Sequence, residues 1–231
     1  MSVITISRQY GSGGDEIAEI ISKKISYRIF DKNILAKAAF EAGLSEEEIV
    51  DYSEDQYKTQ NFLERLFVRS RTVAQMSTWV ENKDGVRISE HLSLSEEQAL
   101  AFVRKAVTSA YKLGNMIIIG RGGQVILHDR ADVLHVRVEA PLEERIMRVR
   151  SDPEIARRGF GDSIEARRIA QDLIEKRDIA SADYLKRFYN VDWSDAGIYH
   201  LVINIGKLSI ENAAGLIVDL IRQFEKVPEP V

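Results

Sequence analysis

The sequence predicts an α/β fold of three layers, a central parallel sheet of about five strands with helices on both faces. Three observations carry that expectation. Short apolar runs alternate with long amphipathic stretches. The first run passes straight into a glycine-rich turn and then a helical pattern. The chain closes on another strand-like run followed by an amphipathic helix. In order, residues 3–7 (VITIS) are rich in β-branched side chains and predict the first strand. Ile17, Ile20, Ile21 and Ile25 recur at helical spacing and predict a helix over 15–26. Residues 27–30, 116–119, 133–138 and 200–205 predict the remaining strands, and 209–225 the last helix.

The middle of the chain departs from this rhythm. Residues 31–113 show helical patterns and no strand signal. Ser45-x-x-Glu48 and Ser95-x-x-Gln98 match the capping box, in which a hydroxyl and a carboxylate or amide satisfy the first free amides of a helix. Phe62, Leu63, Leu66, Phe67 and Val73 form one apolar face, and 82–94, with Asp84-Gly85, reads as a loop between helices. The expectation is one domain over 1–231, with a helical insertion at about 45–114 and an arginine-bearing helical region at about 152–195. Phe62, Leu63, Leu66, Phe67, Trp79, Phe102 and Val103 exceed what one sheet face covers, so the insertion is expected to make a homo-oligomer contact.

Composition narrows the function. The chain has 231 residues, 45% hydrophobic and 29% charged, enough to bury a core. The net charge of −4 gives no general reason to expect nucleic acid or an anionic membrane as partner. No cysteine is present, which excludes disulfides, thiolate metal sites and a cysteine nucleophile. The start MSVITIS lacks the pattern of a signal peptide, and no apolar run reaches membrane-spanning length, so a cytoplasmic protein is expected. His91, His128, His135 and His200 share no short metal-ligand spacing and are read as structural, and Trp79 and Trp193 as packing residues.

The most informative segment is Ser7-Arg8-Gln9-Tyr10-Gly11-Ser12-Gly13-Gly14-Asp15-Glu16. Between a strand and a helix, such glycines let the backbone turn sharply and aim successive N–H groups at an anion, with the helix dipole behind them. The amides of Ser12, Gly13 and Gly14 are expected to converge on that anion. The strict phosphate-loop pattern GxxxxGK[ST] is not met: Gly14 stands where the lysine belongs, and Asp15 and Glu16 follow in place of the hydroxyl residue. A tight turn that binds nothing is the alternative.

With this loop in place, the chain resembles the cytidylate kinase-like family, divergent relatives of the bacterial CMP kinases in the P-loop nucleoside monophosphate kinase group. ITISRQYGSGG at 4–14 resembles the family's N-terminal signature. YRIFDKNIL at 27–35 resembles the segment that opens the monophosphate-binding region, with Asp31 on its aspartate. The stretch 116–149 resembles that of the Gly-Arg-Asp motif, with Arg121 on its arginine, and EKRD at 175–178 resembles the start of the arginine-bearing lid. LVINIGKLSIENAAGLI at 201–217 resembles the last strand and helix. The sequence departs from the pattern at Gly14, at Gly122 in place of the motif's aspartate, and at Tyr184 near an expected lid arginine.

The resemblance implies a P-loop NTPase-type fold and transfer of the γ-phosphoryl of ATP, with Mg²⁺, to a small acceptor. The residues allow roles within that chemistry. Gly11, Ser12, Gly13 and Gly14 would hold nucleotide phosphates. Arg8 either supplies the charge that Gly14 lacks or pairs with Asp15 or Glu16 at the surface. Arg121, emerging after an apolar strand, would act in catalysis and on the acceptor. Asp31 would orient the acceptor or cap a helix, two compatible roles, and Lys32 would meet an acceptor phosphate. Arg177 would arrive from a mobile lid and complete the catalytic set. The competing function is a nucleotide-binding sensor or assembly protein without catalysis.

Overall fold

The computed structural model describes residues 2–31, 34, 74–81, 87–94, 96–151 and 164–224. In chain order these form β1 (Val3–Arg8), α1 (Gly14–Ile25), β2 (Arg28–Phe30), β3 (Ala74–Glu81), β4 (Arg87–Leu94), α2 (Glu96–Leu113), β5 (Met116–Ile119) and α3 (Gly123–Ile126). There follow β6 (Val133–Glu139), α4 (Leu142–Ser151), α5 (Ile164–Tyr189), a 3₁₀ turn at Ala196–Ile198, β7 (Leu201–Asn204) and α6 (Ile210–Phe224).

The strands β2-β5-β1-β6-β7 pair in that order, all parallel, as a five-stranded sheet. Alternation along the strands decides which helix each face receives. Ile4 and Ile6 of β1 and Leu134 and Val136 of β6 pack with Ile17 and Ile21 of α1 and Ala213 and Ile217 of α6. Val3, Met116, Ile118 and Val133 point the other way, onto Val103, Val107 and Ala110 of α2. The three-layer α/β expectation is thereby met. Because β1 is central, the strand order reverses beside it, and its carboxyl end opens on the crevice where α/β sheets bind ligands.

The reading of 31–113 as free of strands is corrected. β3 and β4 form an antiparallel hairpin, Ala74 opposite Leu94 through Glu81 opposite Arg87. Much of the stretch taken for a loop is therefore strand β4. The alternation in QMSTWV and RISEHLSL is that of a two-stranded ribbon, obscured by the helical spacing before it. Val103 is buried and Phe102 half-buried against the core in this chain, so these two are not spare apolar surface. Phe62, Leu63, Leu66, Phe67 and both serines of the capping boxes lie outside the described residues. Among the described residues, no helix is long and apolar enough to cross a membrane.

A polar seam runs through the α2 side of the sheet at β6. The Thr5 hydroxyl lies 2.7 Å from His135 Nδ1, the His135 amide donates to His200 Nδ1 at 2.9 Å, and the two rings stack. Burial, then the neighbouring His200, pushes the His135 pKa down to about 4. Further along, Arg137 donates from Nε to Glu139 at 2.6 Å and from Nη1 to the Trp193 carbonyl at 2.7 Å, with its guanidinium 4.2 Å from the indole centroid. The Trp193 Nε1–H donates to Ser7 Oγ, 2.9 Å away. Burial opposes the Arg137 charge, but Glu139 and Tyr199 hold its pKa above the ordinary value.

Candidate functional site

The site is built on the turn from β1 to α1. Gly11 and Gly13 have φ of 77° and 83°, a region that costs other L residues about 1–2 kcal/mol. Gly11 is also pressed by its neighbours: a Cβ there would lie 2.8 Å from Val149 Cγ2 and 3.0 Å from the Arg145 carbonyl oxygen. Glycine at this position lets α4 lie directly on the loop. Polar contacts lock that arrangement. The Tyr10 amide donates to Asp178 Oδ1 at 2.9 Å, while Arg145 Nη1 donates to Asp178 Oδ2 at 2.5 Å and to the Tyr10 carbonyl at 3.4 Å. The loop is thus pinned to α4 and α5 together.

The expectation for three converging amides is corrected at Ser12. The Ser12 amide donates to the Gln9 carbonyl at 3.1 Å and closes a turn, so it does not serve an anion. The amides of Gly13 and Gly14 have no acceptor among the described residues, since they stand at the helix N-terminus before the first i to i−4 bond, from Ile17 to Gly13. The Ser12 side chain is fully buried and its hydroxyl has no partner among the described residues.

A cavity of about 400 Å³ opens over the loop. Its wall contains all of Gly11, Ser12, Gly13 and Gly14, together with Arg8, Arg148, Arg177 and Asp31. Arg8 borders the cavity and pairs through Nε with Asp15 Oδ1 at 3.1 Å, the ion pair that its second sequence reading expects. Asp31 likewise lines the cavity while its Oδ1 accepts from the Ile34 amide at 3.1 Å, the helix-cap geometry. Arg177 reaches the cavity from the interior of α5, with its guanidinium 5.6 Å from the Tyr10 ring centroid. Its neighbour Asp178 is bonded to the loop, which ties this part of α5 to the site. Lys32 lies outside the described residues.

Arg121 comes to the same edge of the sheet as Arg8, because β1 and β5 pair in parallel with Ile6 opposite Ile119. Its side chain is 2% exposed and its φ is 64°. It is not among the described residues that line the cavity, although Ile119, two residues earlier, is. Gly122, also at positive φ, lies under the Tyr189 ring, which a Cβ would approach to 3.2 Å. Close packing is what that position needs, rather than the carboxylate of the Gly-Arg-Asp motif.

Three residues of the site are absent from the sequence expectations: Arg145, Arg148 and Asp178. Arg148 lies near Gly13, with a long contact of 3.7 Å from Nη2 to Glu144 and a buried Nη1 that has no partner among the described residues. The available signal was spacing. Arg145 and Arg148, three apart in LEERIMRVR, share one helix face, and α4 follows β6, a direct neighbour of β1. Asp178 carried no signal of its own, since its partner Tyr10 is 168 residues away.

The arrangement suits a polyanion: a helix N-terminus with open amides, a buried hydroxyl and three arginines around one cavity. Comparison with known proteins is consistent with that chemistry. The model of the cytidylate kinase-like family matches residues 3–207. A cytidylate kinase of Aeropyrum pernix is 32% identical over 136 residues, which are 55% of this chain and 73% of that protein. A cytidylate kinase of Staphylothermus marinus is 31% identical over 113 residues, 49% of this chain and 58% of the relative. Among solved structures, an uncharacterized protein from Eubacterium ventriosum shares the fold, with a TM-score of 0.59 over 96% of this chain and 99% of that one at 19% identity.

Proposed function

The chain belongs to the cytidylate kinase-like family, and we propose that this kinase moves the γ-phosphoryl group of ATP to a small acceptor bearing a phosphate or a hydroxyl. The observation that carries the proposal is the cavity that joins Gly11–Gly14 to Arg8, Arg148, Arg177 and Asp31. Phosphoryl transfer asks a protein mainly to position two reactants and to neutralise charge spread over phosphate oxygens.

Each residue has a place in that task. The Gly13 and Gly14 amides and the Ser12 hydroxyl, which lack acceptors among the described residues, fit phosphate oxygens. Arg8, Arg148 and Arg177 add fixed positive charge from three different elements. Asp31, at the end of β2, orients the acceptor, and Lys32 belongs to the same acceptor subsite. Arg121, buried at the same sheet edge and behind the cavity wall, is assigned to catalysis and the acceptor from its place in the sequence alone. Mg²⁺ would enter with the triphosphate and offset part of its charge. Homo-oligomer contact through 45–114 belongs to the same proposal, and the mass from solution scattering tests it.

Gly14, where a lysine is expected, favours a second reading: a nucleotide-binding sensor that transfers nothing. A thermal-shift series with magnesium and ATP, then with single acceptors added, separates the two. Stabilisation by triphosphate alone supports the sensor, and a further shift with one acceptor, followed by ADP release, supports the kinase. For the kinase, Arg121→Ala abolishes transfer, and Arg177→Ala lowers turnover by about 10³-fold with a smaller effect on nucleotide affinity. Transfer that survives Arg121→Ala unchanged contradicts the assignment.

A further inference from the structure

Laid on the pattern GxxxxGK[ST] with Gly13 as the second glycine, the loop places Arg8 at the first glycine and Gly14 at the lysine. The motif has not simply lost its lysine. The two positions have exchanged character, glycine for arginine at one end and lysine for glycine at the other. The structure gives the physical reason that these changes go together. A Cβ on Gly14 would lie 2.7 Å from Arg8 Cβ and 2.9 Å from Arg8 Cγ. The Cβ is fixed by the backbone of β1, where Arg8 pairs in register with Val138, so no rotation of the side chain relieves that contact. Any side chain at position 14 therefore needs the space of the side chain at position 8.

We infer that Arg8 and Gly14 are a reciprocal pair: Arg8 delivers to the nucleotide phosphates the cation that a lysine at position 14 delivers elsewhere, and Gly14 is glycine because the Arg8 stem fills its side-chain space. The loop accommodates one cation, launched either from the end of β1 or from the first residue of α1. Two further observations agree. Arg8 borders the cavity over the loop rather than the outer surface, its side chain only 16% exposed. Asp15, at the place of the hydroxyl residue, holds the Arg8 Nε at 3.1 Å and orients the guanidinium. Asp15 is thus the positioning partner of that arginine.

The charge half of this inference rests on the reading of the loop as a triphosphate cradle, and the steric half does not. The experiment is a four-corner cycle of the full chain: unaltered, Arg8→Gly, Gly14→Lys and the double variant. Affinity for a magnesium-bound, nonhydrolysable ATP analogue is read by calorimetry, and Tm is read without ligand. Arg8→Gly is expected to weaken binding about 10- to 100-fold, the range for charge-assisted bonds to phosphate. Gly14→Lys is expected to lower Tm with no gain in binding. The double variant is expected to recover the lost Tm and to bind within about 3-fold of the unaltered chain. A double variant that binds no better than Arg8→Gly overturns the exchange.

Should Gly14→Lys fail to fold, Gly14→Ala decides the steric half. Alanine for glycine inside a helix ordinarily stabilises. Here it should lower Tm by about 3 °C with Arg8 present and raise it in the Arg8→Gly background. A rise in both backgrounds overturns the pair. If the unaltered protein binds no triphosphate, the kinase reading and the charge half fall together, while the alanine cycle still judges the packing. If it binds triphosphate and only the double variant fails, the exchange alone is wrong.

Discussion

Arg137 and Arg148 stand on consecutive elements of the chain, β6 and α4, yet their surroundings are opposite. Arg137 is closed in: Glu139, the Trp193 carbonyl and the faces of Trp193 and Tyr199 take up its charge and its donors. Arg148 lies over the glycine loop at the edge of an open cavity, with Glu144 Oε2 3.7 Å from its Nη2 and its buried Nη1 without a partner among the described residues. A cation whose acceptors are all internal holds the protein together. One that borders a cavity with a donor to spare is placed to meet what enters it.

The comparison breaks most sharply at Arg137. Truncation to alanine leaves the Trp193 carbonyl without its buried donor and removes the stem packed against the Trp193 and Tyr199 rings, together a cost of about 3–5 kcal/mol. The expected result is a Tm lower by about 10 °C, with triphosphate affinity of the folded protein unchanged. A Tm within 2 °C of the starting protein, a shift of the order of 1 kcal/mol or less, contradicts the structural role.

The next effect is pH dependence from the same seam. His135 titrates near 4 when folded and near 6.5 when unfolded. Between those values the unfolded chain binds the extra proton, so stability is complete above about pH 6.5 and falls as the pH drops toward 4. The loss from this one group is on the order of 3 kcal/mol. Urea titrations across that window should show the slope, and His135→Asn should flatten it.

The smallest effect is at the open site. Arg148→Ala is expected to weaken triphosphate binding about 10-fold and to leave Tm within about 2 °C, because its buried amino group gives up no protein acceptor. A large Tm loss with unchanged binding would move Arg148 into the same class as Arg137.

What the sequence disclosed follows the range of its interactions. The five parallel strands are legible because β-branched runs such as VITIS and MIII report burial on both faces directly. The loop is legible because its three glycines fall within the four residues 11–14. The hairpin β3–β4 is hidden because its period-2 alternation is weak beside the helical spacing that precedes it. Asp178 is hidden because its meaning, an acceptor for the Tyr10 amide and the Arg145 guanidinium, exists only once α5 lies across the loop. Arg8 was legible as a candidate cation, but the reason for glycine at position 14 required the distance to its stem.

The central claim is that the turn from β1 to α1 cradles a nucleoside triphosphate. It is tested most directly by a crystal structure of the full chain with a nonhydrolysable ATP analogue and magnesium. The account predicts phosphate oxygens within about 3 Å of the Gly13 and Gly14 amides, with guanidinium groups of Arg8 and Arg148 turned toward them. A triphosphate bound elsewhere on the molecule, with those two amides facing only water, would contradict it.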